Sequence, residues 1–182
     1  FGIITWPESK KGTMKVTGFA YKASSVSPLT KEVSEILFRQ VGTGAEEKEV
    51  TDAIRDISTS VLSGEWGIES LAPYGRIGKE TYKNTPPLSV RAARYYNEHM
   101  DPIDPVRVGD SIRWLYVSEA PENLPYTEVA AFRNPIELEG FSVDYGLIVD
   151  KFIKAKIKRV YDTLGWKSLD EACGAKMPKS HW

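Results

Sequence analysis

The sequence predicts an α+β fold: a short β-hairpin, then a mainly helical body that carries a small β element. Three observations predict it. Two apolar, β-rich runs flank a polar turn at the start, in "FGIITWPESKKGTMKVTGFAY". Four longer segments place apolar residues at helical spacing and are bounded by capping residues, prolines or glycines. Between the third and fourth of these, "SIRWLYV" sets Ile112, Trp114 and Tyr116 in alternation with Arg113, Leu115 and Val117, the pattern of a strand.

In chain order, the hairpin turns through Pro7 and Gly12 and is too short to be stable alone, so it is expected to join a sheet. "SSVSPLTKEVSEILFRQVG" is the first helix. Ser27 caps it, Pro28 suits its first turn, Val33, Ile36, Leu37 and Val41 form its apolar stripe, and Gly42 ends it. "AEEKEVTDAIRDISTSVLSG" is the second. Its acids lie at the front, where the helix dipole favours them, and Val50, Ala53, Ile54, Ile57 and Val61 face the core up to Gly64. A strand is expected near Ile68 to Leu71, followed by irregular backbone to Pro87. "LSVRAARYYNEHM" is the third helix, with Ala92 and Ala93 small enough to let another backbone come close. "DPIDPVRVGD" is a turn-rich approach to the "SIRWLYV" strand, and "EVAAF" is a shorter strand. "SVDYGLIVDKFIKAKIKRVYDTLGW" is a long helix ending at Gly165. At 100° per residue it puts Val149, Phe152, Ile153, Ile157, Val160 and Leu164 on one side. Lys151, Lys154 and Lys158 lie on another, and Lys156 falls in the apolar arc, where it must snorkel or be paired.

Hydrophobic residues make up 41% of the chain and charged residues 27%, ordinary values for a globular protein. No apolar run reaches the length of a membrane span. The lone Cys173, with no CxxC pair and no visible secretory signal, points to an intracellular setting. The sequence opens at Phe1 in what reads as a strand already under way. The chain is therefore expected to begin inside a fold; a trimmed or disordered end is the other reading.

The net charge of −1 hides an uneven distribution. Arg76, Lys79, Lys83, Arg91 and Arg94 stand against Glu80 alone between residues 76 and 94, and residues 151 to 159 hold five basic residues and no acid. Such runs are either solvated helix faces or a surface suited to phosphates. Residues suited to chemistry are sparse. His99 and His181 have no metal-ligand spacing, "GRIG" is no phosphate-binding Walker loop, and Asp101 and Asp104 each precede a proline in a turn context. The sequence thus assigns no catalytic and no metal-binding residue. What remains is a binding surface, with Tyr74, Tyr82, Tyr95 and Tyr96 among the basic groups; Tyr95 and Tyr96 read first as core.

Four segments, taken in order, resemble the end of the palm and the thumb of family B DNA polymerases. They are "KVTGFAYKASSVSPLTKEVSEILF", "TYKNTPPLSVRAARYYN", "VRVGDSIRWLYV" and "VDYGLIVDKFIKAKIKRVYDTLGW". The resemblance departs from the family at Ser89, where a histidine is usual, and at Ala20, where an acid is usual. The family's aspartate motifs "D-x-x-S-L-Y-P" and "Y-x-D-T-D", and its lysine motif "K-x-x-x-N-S-x-Y-G", do not occur in this chain. In the family they lie before a "K-K-R-Y" segment, just after which Phe1 would fall.

The resemblance implies residues 1 to 25 as the last palm strands and residues 26 to 182 as the thumb. It implies DNA-templated nucleotide addition with Mg2+ bound outside this chain, by a catalytic large chain or missing N-terminal region. This chain would be inactive alone and would hold primer-template DNA. The DNA contacts expected are Arg76, Lys79, Tyr82, Lys83, Ser89 and Arg91: Arg76 and Lys79 from the basic character of their loop, Tyr82 and Lys83 also from the family's Tyr-Lys. A sliding clamp is a further possible partner, although "GAKMPKSHW" carries no recognisable clamp motif, and no membrane partner is implied. A non-catalytic DNA-binding accessory or assembly subunit is the alternative.

Overall fold

The computed structural model describes residues 4–5, 15–16, 23 and 25–174. The fold is α+β, with helices and a small antiparallel sheet. At the start, β1 (Ile4–Thr5) pairs antiparallel with β2 (Lys15–Val16), in the register Ile4 to Val16. The expected turn and the flanking residues of this hairpin, Trp6 and Phe19 among them, lie outside the described residues. The chain divides into two compact units. One takes residues up to Glu65 and from Val149 onward; the other takes Trp66–Ile148.

The first unit is helical beyond β1 and β2. Helix α1 (Pro28–Gly42) starts as its sequence demands: the Ser27 hydroxyl accepts the Thr30 N–H at 3.2 Å, and Pro28 occupies the first turn. Helix α2 (Glu47–Leu62) opens with Glu49 in its first turn accepting the Glu46 N–H at 3.0 Å. Leu29, Val33 and Leu37 of α1 and Val50, Ile54 and Val61 of α2 are buried. Each such side chain contributes about 1.5–3 kcal/mol relative to full exposure. Ile36, Val41, Ala53 and Ile57, expected on the buried stripes, are only half-buried.

The long C-terminal helix departs from its expectation. It begins as α5 (Tyr145–Ile148) at the end of the second unit and widens into a π-turn over Val149–Lys154. It resumes as α6 (Ala155–Leu164), and Gly165 closes it in the left-handed conformation at φ 71°. The π-turn adds one residue and shifts the downstream phase by one position. Ile157 is buried as expected, but Tyr161 is buried in place of Val160, which is half-buried, and Leu164 is exposed. Lys156 leaves the apolar arc for solvent and needs no partner there. Thr30 explains where the turn sits: its buried hydroxyl donates to the Phe152 carbonyl at 2.7 Å, an insertion into the helical ladder. Helix α7 (Leu169–Ala172) follows. The Glu47 carboxylate fastens its approach by accepting the N–H groups of Lys167 and Ser168 at 2.6 and 2.8 Å and the Ser168 hydroxyl at 2.7 Å. Those bonds, the Ser168 hydroxyl first, hold the Glu47 carboxyl below the usual range.

The second unit is a sheet with one long helix on it. Ile68–Leu71, expected as a strand, forms a helical turn, α3. Ile68 packs against the core beneath the sheet, Leu71 is fully buried, and Pro73 lies just beyond the end of α3. The strand comes next, where irregular backbone was expected. It is β3 (Tyr74–Arg76), paired with β4 (Ser111–Glu119) in the register Tyr74 to Arg113. β4 also pairs with β5 (Val129–Phe132) and, across an irregularity between Val117 and Glu119, with β6 (Ser142–Val143). Leu115 and Val117 pack with Ala72, Ala130, Phe132 and Leu138. Ile112, also buried, faces the opposite way. Helix α4 (Leu88–His99) packs on the sheet through buried Val90, Ala92, Ala93, Tyr95 and Tyr96.

Candidate nucleic-acid interface

The expected contact residues all lie in the second unit. Their positions follow from one close approach. The first turn of α4 lies over β3 so tightly that a β-carbon on Gly75 would overlap the Ser89 side chain and crowd Trp114, 3.2 Å away. Half-buried Ser89 is thus a packing residue at this contact. On either side of buried Gly75, Tyr74 and Arg76 are exposed.

Beyond Arg76 the backbone stays tethered. The Ile77 N–H donates to the Asp110 carbonyl and the Gly109 N–H to the Ile77 carbonyl, both at 2.8 Å. The Asp110 carboxylate in turn accepts the Arg107 N–H at 2.8 Å, which shapes the turn carrying Arg107 and Val108. Residues 78 to 85 then run exposed but for half-buried Tyr82. The Lys79 ammonium sits 4.7 Å from the centre of the Tyr82 ring, a cation–π contact that leaves its remaining face to solvent. Lys83 is exposed. The Arg94 guanidinium, from α4, donates to the Glu80 carbonyl at 2.6 Å and ties the loop back to the helix.

Arg91 stands apart from this group. Its guanidinium is ion-paired with Glu128, and its Nε is buried. Of the six expected residues, the structure brings Lys79 and Tyr82 together and leaves Arg76 and Lys83 exposed. Ser89 is committed to packing and Arg91 to an internal pair. Sequence reasoning left Arg94 and Arg107 off the site. Arg94 was visible as the next basic residue along the helix from Arg91, whereas nothing local marked Arg107.

These side chains border a cleft of about 480 Å³. One face of α4 supplies Val90, Ala93, Arg94 and Asn97, a helical spacing. Ile77, Val106 and Val108 complete the apolar part, and Lys79, Arg107 and Glu80 join Arg94 among its charged groups. The Asn97 amide closes the floor. It donates to the Val106 carbonyl and accepts the Val106 N–H, both at 2.8 Å.

Tyr95 and Tyr96 are core residues, as their pattern indicated. Their hydroxyls reach the Pro125 carbonyl at 2.7 Å and the Glu137 carboxylate at 2.9 Å. Burial, reinforced by Glu137, pushes the Tyr96 hydroxyl up to about 12. The second basic run, in the first unit, is largely answered by acids: Lys151 by Asp150 at 2.8 Å, Lys158 by Asp162 at 2.6 Å, and Lys154 by Asp170. Asp104 meets Arg133 at 3.3 Å. Cys173 is buried, and burial pushes its thiol up to about 12. His181 lies outside the described residues. Among the described residues no helix is long and apolar enough to cross a membrane. Compared with known proteins, the chain matches no family model, and no curated protein matches it.

Proposed function

We propose that this chain is the C-terminal palm and thumb portion of a family B DNA-directed DNA polymerase. On this reading residues 1 to 25 complete a palm sheet, residues 26 to 182 form the thumb, and the chain grips primer-template duplex during DNA replication or repair. The observation that carries it is the exposed cationic loop from Arg76 to Lys83, tethered to the sheet at Ile77 and to α4 through Arg94. Lysines and arginines held this way meet phosphates without reading bases, which a polymerase working on every sequence requires. The ordered resemblance of four segments, read from the sequence, supplies the family.

The chemistry of nucleotide addition belongs to a companion chain or preceding region that carries the aspartate motifs. The Mg2+ ions used there would polarise the reacting phosphate and lower the pKa of the attacking hydroxyl.

Binding of primer-template duplex across a salt series tests the reading. Arg76→Ala, Lys79→Ala and Lys83→Ala are each expected to weaken binding about equally on unrelated sequences. Each should also reduce the slope of log affinity against log salt by about one. Unchanged slopes for all three, with a reduced slope for Lys151→Ala and Lys154→Ala, would move the DNA to the other basic run.

A further inference from the structure

The cleft beside α4 has a chemistry that duplex grip does not use. Its floor is aliphatic, built from Ile77, Val90, Ala93 and Val106, and Asn97, its polar neighbour, spends its amide on the Val106 backbone. Its cations, Lys79, Arg94 and Arg107, are exposed side chains, opposed in the lining by Glu80 alone. The volume of about 480 Å³ lies in the range of small-molecule sites, roughly 300–1,000 Å³. A duplex carries its phosphates on a convex outer surface and hides its bases in the stack. It would span the mouth of such a cleft and leave the floor empty. An unpaired nucleotide offers phosphate and base together, and its base gains by leaving water for an apolar surface.

We propose that this cleft seats one nucleotide of an unpaired strand, its phosphate held by Lys79, Arg94 and Arg107 and its sugar and base resting on the aliphatic floor. This deepens the nucleic-acid reading above and rests on its claim that the basic face of this unit meets phosphates. The aliphatic side chains of the floor offer no donor or acceptor to a base edge, so the seat is expected to discriminate little between bases. Lys79 belongs to both the loop and the cleft, and Arg94 also ties the loop to α4 through the Glu80 carbonyl. Arg107 belongs to the cleft alone, and so distinguishes a held single strand from a gripped duplex.

The test uses the full chain, a short fluorescein-labelled oligothymidylate and, separately, a labelled blunt duplex, read by fluorescence anisotropy. Arg107→Ala is expected to weaken the oligothymidylate about tenfold, the worth of one charge-assisted contact, and the duplex less than about twofold. Arg76→Ala and Lys83→Ala should show the reverse preference. Unlabelled adenosine monophosphate should displace the oligothymidylate and leave the duplex bound. Circular dichroism of each variant checks that it folds, and Arg107→Lys should recover part of the lost affinity. If the duplex binds but the oligothymidylate is unaffected by Arg107→Ala, the seat is wrong and the duplex reading stands. If the oligothymidylate responds as expected while the duplex does not bind, the duplex reading fails and the seat stands. Equal losses on both probes, or binding of neither, overturn the seat.

Discussion

Gly75 is the residue on which the geometry of the basic loop turns. With no β-carbon it lets the first turn of α4 settle onto β3, and that contact fixes where Arg76 leaves the sheet. Alanine there meets the Ser89 side chain rather than a movable chain end, so one of the two elements must shift. Gly75→Ala is expected to lower stability by about 1–3 kcal/mol, the usual cost of overpacking. Adding Ser89→Gly should restore part of this, less about 1 kcal/mol for a glycine within a helix. Urea denaturation of the two single variants and the double variant measures the coupling. If the losses simply add, the contact is not what makes Gly75 necessary.

At the scale of elements, the π-turn at Val149–Lys154 makes a claim that sets it apart from every ordinary helix in the chain. It holds one residue more than an α-helix of the same phase, so removing a residue there returns the helix to α geometry and leaves the orientation of α6 unchanged. Deletion of exposed Lys151 is expected to lower the unfolding temperature by only about 2–8 °C, on the scale of 1–2 kcal/mol. Deletion of exposed Thr59 in α2 rotates the residues after it by about 100° and should abolish cooperative unfolding of the first unit. Comparable melting curves for the two deletions would argue against the extra residue. The same turn explains what was legible beforehand. Ser27 and Pro28 announced α1, and the acidic first turn announced α2, because caps and dipoles are local. The stripe on the last helix was legible as far as Ile157 and failed at Val160 and Leu164, since the cause of the phase shift, Thr30, lies far away in sequence. β3 was missed because Tyr74–Arg76 is a strand by virtue of its pairing with β4, and Ile68–Leu71 was too short for its helical spacing to stand out. In the cleft, the contact between Lys79 and Tyr82 is local, whereas the placement of Arg107 depends on the register of Ile77 against Asp110.

For the whole molecule, each unit holds buried acids that resist ionisation, Tyr161 and Tyr95 among them. Cys173 in the first unit and Tyr96 in the second are both pushed up to about 12, from ordinary values near 9 and 10. In both cases the folded state binds the proton more tightly than the unfolded chain does. The stabilisation is fully present below the unfolded values and is lost as pH rises through about 12. Stability should therefore fall from about pH 9 as the thiol begins to matter, and more steeply above about pH 10 when Tyr96 joins it. Cys173→Ala should flatten the curve between pH 9 and 10 and leave the steeper limb. Thermal unfolding across that range checks it, and an identical profile for the variant would show that Cys173 does not govern the first limb.

The arrangement of Trp66–Ile148 between the two halves of the other unit has a consequence for synthesis on the ribosome. The second unit is one unbroken stretch of chain and can close as soon as it emerges. Helices α1 and α2 emerge earlier, yet the side chains that cover them, Ile153, Ile157 and Tyr161, are translated after all of Trp66–Ile148. Helices α1 and α2 therefore wait with Leu29, Leu37, Val50 and Ile54 incompletely covered, while the second unit can already close. Their exposure lasts as long as translation of the intervening unit, and a chaperone that shelters nascent chains would find its substrate in that interval.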